Sequence, residues 1–141
     1  MQIQLARTEA DILKCWPVMK LLRPHLEEEK FVPLVKEMLS EGYELAFVEA
    51  NDVAAAAIGY RYQQKLFDGK QIYVDDLTTL EEHRGKGYAG KLLGFVFDLA
   101  RQRGCVCVTL DSGVGTHRQD AHRLYLNKGF VISSMHFMKK L

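Results

Sequence analysis

No run in the sequence approaches eighteen apolar residues, and Met1-Gln2-Ile3-Gln4 lacks a signal peptide's apolar stretch. These two absences make a cytoplasmic protein with no membrane partner the expectation. Cysteine is scarce and odd in number, three residues in all, which argues against a disulfide framework. Neither sign of charge dominates. A net charge of +1 gives no general pull toward nucleic acid, so any positive potential must be local. Repeats and low-complexity linkers are also missing. What is present is 141 residues, 48% hydrophobic and 26% charged, enough for one domain (1-141) with a core of its own.

The hydrophobic pattern alternates between helix and strand periods. Ile3 and Leu5 open a strand. Thr8 then caps a helix with Asp11 at its N3 position, and the helix runs to about Leu22 with a kink or break at Pro17. A second helix is predicted over about Leu26 to Ser40, stopped by Gly42. Tyr43 to Ala50 and Val53 to Gln63 read as strands joined at Asn51-Asp52. Asp68-Gly69 turns the chain into Gln71 to Thr79. Beyond a glycine loop, Leu92, Leu93, Val96, Phe97 and Ala100 form one apolar helical stripe, which Gly104 ends. Cys105 to Leu110 follow as a strand, His117 to Lys128 as a short helix, and Phe130 to Lys139 as a last strand. The expected order is β-α-α-β-β-β-α-β-α-β, a mixed α/β (α+β) fold with a mostly antiparallel sheet flanked by helices. Cys15, Cys105 and Cys107 read as small buried hydrophobes.

The most informative stretch is Arg84-Gly85-Lys86-Gly87-Tyr88-Ala89. It puts two glycines and two cations between a β-like run and a helix start. Early helical N–H groups have no partner within the helix, and the macrodipole adds positive potential there. Gly85 and Gly87 let the backbone approach an anion closely. A P-loop is excluded, because no Ser or Thr follows Lys86 to hold magnesium. Gly85 to Gly90 matches the G-x-G-x-x-G string, and Asp111 lies at about the right distance for a dinucleotide site. The hairpin that feeds the loop argues against that reading, since a dinucleotide site needs a parallel βαβ unit. The loop reads as a pyrophosphate cradle.

Arg84-x-x-Gly87-x-Ala89 resembles the R/Q-x-x-G-x-G/A signature of the GCN5-related N-acetyltransferase (GNAT) superfamily. Val74 to Thr79 resembles that family's fourth strand, Gly87 to Arg103 its central helix, and Cys105 to Asp111 its fifth strand. Ala121 to Phe130 is similar to its A-x-x-L-Y-x-x-x-G-F segment. The resemblance spans about residues 72 to 132. It implies acetyl-coenzyme A as co-substrate, with its pyrophosphate on Arg84, Gly85, Lys86, Gly87, Tyr88, Ala89 and Gly90. The backbone of Leu77, Thr78 and Thr79 would hold the pantetheine arm. Tyr125 would be the general acid at the departing thiolate, and Asp75 or Asp76 the contact for the amine. By strand alternation these two aspartates should face opposite sides, so that at most one lines the site. The family often has Asn where Arg118 stands, and an arginine cannot reproduce that acceptor.

No metal is expected, since His117 and His122 lack further ligands at useful spacing. The resemblance also implies that residues 13 to 42 form much of the acceptor wall, which here offers Trp16, Arg23, His25 and the run Glu27-Glu28-Glu29. That run either favours a cationic acceptor or is a solvated first helical turn. The reading is an N-acetyltransferase acting on a primary amine, with a small-molecule acceptor preferred over a protein or peptide. A catalytically silent acyl-coenzyme A-binding regulatory module is the alternative from another class. Nothing in the sequence sets the oligomeric state, which leaves room for a homodimer.

Overall fold

The computed structural model describes residues 2–141. The chain divides into two compact units, residues up to Thr109 and Leu110–Leu141. In the first unit, β1 (Ile3–Leu5) leads into α1 (Glu9–Lys14), α2 (Trp16–Leu22) and α3 (Glu28–Ser40). The meander β2 (Tyr43–Ala50), β3 (Val53–Lys65) and β4 (Gly69–Thr79) follows, then α4 (Tyr88–Gln102) and β5 (Cys107–Leu110), whose last residue opens the second unit. The sheet order is β1-β2-β3-β4-β5, and the first three pairings are antiparallel. No helix among the described residues is long and apolar enough to cross a membrane.

Local chemistry accounts for most of these boundaries. The Thr8 hydroxyl accepts from the Asp11 N–H, and the Asp11 carboxylate accepts from the Thr8 N–H, closing the capping box. Both backbone bonds to its carboxylate, first from Arg7 and then from Thr8, hold the Asp11 pKa below its ordinary value. At Pro17 the expected single helix breaks into α1 and α2, with the proline in the first turn of α2, where its missing N–H costs nothing. Asn51 and Asp52 both take positive φ, 55° and 66°, the form that two-residue hairpins require. The α4 stripe is buried at Leu92, Leu93, Val96 and Ala100. These side chains fix α4 against β3 and β4, each large one contributing about 1.5–3 kcal/mol of gross burial. Cys15 is buried as expected, while Cys105 and Cys107 are only half-buried.

The pairing of β3 with β4 carries one irregularity. Gly59 faces Asp76, but the next residue, Tyr60, faces Val74, so Asp75 is an extra residue on β4. Beside this bulge, the buried Tyr43 ring lies across Gly59. A Cβ built there would fall 1.8 Å from the Tyr43 hydroxyl oxygen. At the other end of β4, the Val106 N–H bonds to the Lys70 carbonyl at 2.8 Å, and the Thr109 hydroxyl meets the Gln71 side chain. Residues 106–109 thus lie beside the start of β4. Leu77, Thr78 and Thr79 lie six to eight residues beyond Gln71, where they pair with Ile58, Ala57 and Ala56 of β3.

The second unit holds a 3₁₀ turn at Thr116–Arg118 and helix α5 (Gln119–Asn127), with Gly129 in the left-handed region just past its end. The strand expected over Phe130 to Lys139 does not form. Those residues take no regular structure, and Val131, Ile132, Met135, Phe137 and Met138 are exposed. Their apolar side chains split between the two faces of a would-be strand, Val131, Met135 and Phe137 against Ile132 and Met138. Such a strand needs cover on both faces as well as an edge to pair with.

Two stability effects follow. Gly59→Ala is expected to cost about 1–3 kcal/mol in urea denaturation, because the methyl group collides with a ring that cannot shift within the core. Thr8→Ala should cost about 1 kcal/mol through loss of the cap, read as a lower denaturation midpoint at unchanged slope.

Candidate active site

The loop after β4 leaves backbone donors open at a helix start. A 3₁₀ turn at Glu81–His83 ends in Arg84, and Gly85 and Gly87 both take positive φ, 78° and 82°. Gly87 is the N-cap of α4 and offers no side-chain acceptor, so the Tyr88, Ala89 and Gly90 N–H groups precede the first helical bond, Lys91 to Gly87. Nothing lies within 4 Å of where a Cβ at Gly85 or Gly87 would sit. The space over the turn is therefore open, and a side chain would fill it. Arg84 and Lys86 are exposed beside it. Lys86 Nζ lies 3.2 Å from His83 Nδ1, while the Arg84 guanidinium has no partner among the described residues. The Tyr88 ring packs toward His83, 6.1 Å between centroids, rather than over the open space. Glu81 and Glu82 face solvent.

Directly upstream lies the strand end Leu77, Thr78 and Thr79. The Thr78 hydroxyl donates to the Val18 carbonyl of α2 at 3.3 Å and is buried, so its side chain is committed to packing. What this stretch can offer a ligand is backbone. In an antiparallel pair, alternate residues turn their N–H and C=O groups away from the partner strand.

The two aspartates correct the expectation of opposite faces. Because Asp75 is the bulged residue, strict alternation fails and both carboxylates join one network on one face. Asp76 accepts from Arg23 Nε at 3.1 Å and Nη2 at 3.0 Å through Oδ1, and from the Tyr43 hydroxyl at 2.8 Å through Oδ2. Arg23 Nη2 also donates to the Asp75 carbonyl at 3.0 Å. The Asp75 carboxylate is clamped by Arg61, with Nε at 3.0 Å and Nη2 at 2.9 Å. The Arg61 guanidinium in turn lies 5.6 Å from the Tyr43 ring centroid. Burial raises the Asp75 pKa above the ordinary carboxylate value, and the paired Arg61 opposes that rise. Burial, and then the charge of Asp76, push Tyr43 well above a normal phenol, so its hydroxyl stays a donor.

Asp76 and Tyr43 also line a cavity of about 310 Å³ under α3. Its apolar wall comes from Phe31, Leu34, Val35 and Met38, the i, i+3, i+4, i+7 positions of that helix, and Arg23 and His25 stand at its polar end. Trp16, expected on the acceptor wall, instead packs on Phe31 at 5.2 Å between centroids, away from the cavity lining. The run Glu27-Glu28-Glu29 is exposed, with Glu27 paired to Lys30 at 2.6 Å, and takes no part in the cavity. Tyr43, Gly59 and Arg61 were not singled out from the sequence. A glycine amid the bulky residues of β3 was the only local sign of a close approach there.

In the second unit, Tyr125 is buried on α5 with its ring 5.8 Å from Phe130. His122 Nε2 lies 2.7 Å from the Gly113 carbonyl and 3.1 Å from the Ser112 hydroxyl, which gives it a structural role. Arg118 closes its 3₁₀ turn through an N–H bond to the Gly115 carbonyl.

Residues 7–130 match the profile of the Acetyltransferase (GNAT) family. The uncharacterized N-acetyltransferase YhdJ of Bacillus subtilis is 34% identical over 126 residues, 88% of this chain and 87% of that protein. An aminoalkylphosphonate N-acetyltransferase of Salmonella typhimurium is 34% identical over 68 residues, 48% of this chain and 43% of that protein. Among solved structures, the aminoglycoside N-acetyltransferase AAC(6')-Iy in complex with CoA superposes with a TM-score of 0.80. It is 15% identical and covers 99% of this chain and 95% of that one. With more than half of its length matched by the family and a relative of this identity over nearly all of it, the chain belongs to the GNAT family of acetyltransferases.

Proposed function

We propose that the protein moves an acetyl group from acetyl-coenzyme A to the primary amine of a small molecule by direct attack. The observation that carries this reading is the turn at Gly85 and Gly87. Its backbone donors, its open space and its two exposed cations suit a diphosphate, and it follows immediately on Leu77, Thr78 and Thr79. In this reading the loop from Arg84 to Gly90 holds the pyrophosphate, and the outward backbone of Leu77 to Thr79 holds the pantetheine arm. The coenzyme in the aminoglycoside enzyme's structure and the small-amine substrate in the name of the Salmonella relative both support it.

The chemistry asks little more of the chain. The ammonium of the acceptor loses one proton to solvent. The neutral nitrogen then forms its bond to the acyl carbon as the carbon–sulfur bond breaks. The second nitrogen proton is released to solvent, and Tyr125 supplies one to the leaving sulfur before regaining its own from water. A phenol is ordinarily a weaker acid than a thiol, so that transfer runs uphill and is completed as water returns the proton to Tyr125. Asp76 is the amine contact, because it lines the cavity one residue before Leu77. Asp75, clamped by Arg61 and outside the cavity lining, does not meet the amine. The whole chain, 1-141, serves as one acetyltransferase domain.

Calorimetry with acetyl-coenzyme A tests the donor half. Arg84→Ala and Lys86→Ala are each expected to weaken binding by about tenfold, and the double variant by more. Unchanged affinity in the double variant would remove the cradle from the reading. Release of coenzyme thiol from an amine panel tests the reaction. Tyr125→Phe should lower kcat by about 100-fold and leave coenzyme affinity as it was. An unaltered kcat would take the proton-donor role from Tyr125.

A further inference from the structure

The lining of the cavity beside Asp76 suits some amines and not others. Its contents are one carboxylate, one guanidinium, one buried phenol, an exposed imidazole and an apolar wall. The lone carboxylate accepts two bonds from Arg23 at Oδ1 and one from Tyr43 at Oδ2, which leaves room at Oδ2 for one ammonium and no more. A polyamine needs several separated carboxylates, and the acidic run that might have supplied them, Glu27 to Glu29, lies outside the lining. A sugar amine would bring many hydroxyl groups against Phe31, Leu34, Val35 and Met38, where nothing accepts or donates. A cavity of about 310 Å³ is at the small end for ligand sites and suits a body of amino-acid size.

Arg23 supplies the second recognition element. It spends Nε and Nη2 on Asp76 and on the Asp75 carbonyl, which leaves Nη1 without a partner among the described residues. Its side chain is 44% exposed, against 14% for Asp76, so an anion can reach it while Asp76 stays sheltered. Its position is set rather than floppy. The Arg23–Glu27 turn is tied down by Lys20 Nζ, which donates to the carbonyls of Pro24 and Leu26. An Arg–Asp pair with one free guanidinium nitrogen is complementary to a zwitterion, ammonium to carboxylate and carboxylate to guanidinium. The apolar stripe of α3 then faces whatever the zwitterion carries as its side chain.

The geometry points to a zwitterionic acceptor with an apolar side chain, the class of leucine, methionine or phenylalanine. Its ammonium sits on Asp76 Oδ2, its carboxylate on Nη1 of Arg23, and its side chain against α3. This rests on the acetyltransferase reading above and narrows its acceptor.

Two measurements test the idea, one of turnover and one of binding. The first is coenzyme thiol release on leucine and phenylalanine, on their decarboxylated amines isopentylamine and phenethylamine, on serine and on spermidine. The zwitterionic apolar amines should exceed the decarboxylated ones and serine by about tenfold or more in kcat/KM. Arg23→Gln should bring the ratio of leucine to isopentylamine close to one, and Arg23→Lys should restore part of it. Leu34→Asp should lower turnover of leucine more than that of serine. Equal or better turnover of spermidine or of the decarboxylated amines overturns the inference and leaves the acetyltransferase reading standing. The second measurement is binding of leucine to protein loaded with coenzyme A, by saturation-transfer NMR. Binding that Arg23→Gln abolishes, in a protein that releases no thiol with any amine, sustains the pocket assignment and sinks the catalytic reading. No binding and no turnover of leucine sinks the inference. Circular dichroism of each variant keeps loss of fold apart from loss of recognition.

Discussion

One extra residue in β4 governs the polar end of the cavity under α3. Where Gly59 faces Asp76 and Tyr60 faces Val74, Asp75 bulges, and two neighbouring carboxylates that a regular strand would separate come to one face. Two arginines and a tyrosine then become necessary, because adjacent carboxylates held partly out of water repel each other and are costly to charge. Arg61 takes one, and Arg23 with Tyr43 takes the other. Gly59 makes the arrangement sterically feasible, since only a residue without Cβ lets the Tyr43 ring cross the sheet to Asp76. The bulge, the glycine and the tyrosine act as one device, and the polar end of the cavity is its product.

The loop depends on a different constraint. Two left-handed glycines turn the chain from β4 into α4 with no side chain over the turn, and the buried stripe of α4 keeps the helix start in place. Site and core are thus connected through rigid elements. The donors at Tyr88, Ala89 and Gly90 are aimed by packing at Leu92, Leu93 and Val96, not by anything at the loop itself. Short strand β5 contributes by what it does not cover. Residues 106–109 lie beside the start of β4, while the backbone groups of interest lie six to eight residues further along.

Much of this was legible in the chain because local chemistry decided it. The Thr8 cap, the break at Pro17, the Asn51-Asp52 turn and the α4 stripe each follow from a few adjacent residues whose preferences agree. The glycine loop was legible for the same reason. Strand alternation failed at Asp75 and Asp76 because a bulge is a property of two paired strands, and neither strand announces it alone. The expected strand from Phe130 to Lys139 failed for a related cause: hydrophobic content marks a segment that can be buried, not one that has found a neighbour. Trp16 and the glutamate run were drawn toward the acceptor by residue type, and neither lines the cavity beside Asp76.

By itself, the sequence determined the order of elements up to α5, the family, and the glycine loop before α4, since periodicity, capping and glycine placement act over fewer than about ten residues. Tertiary structure alone decided which side chains surround Asp76. Arg23, Tyr43, Gly59 and Arg61 are brought to the aspartates from 14 to 53 positions away, by strand register and by the turn after α2. Contacts at such separation depend on which surfaces pack together, and no local preference encodes that.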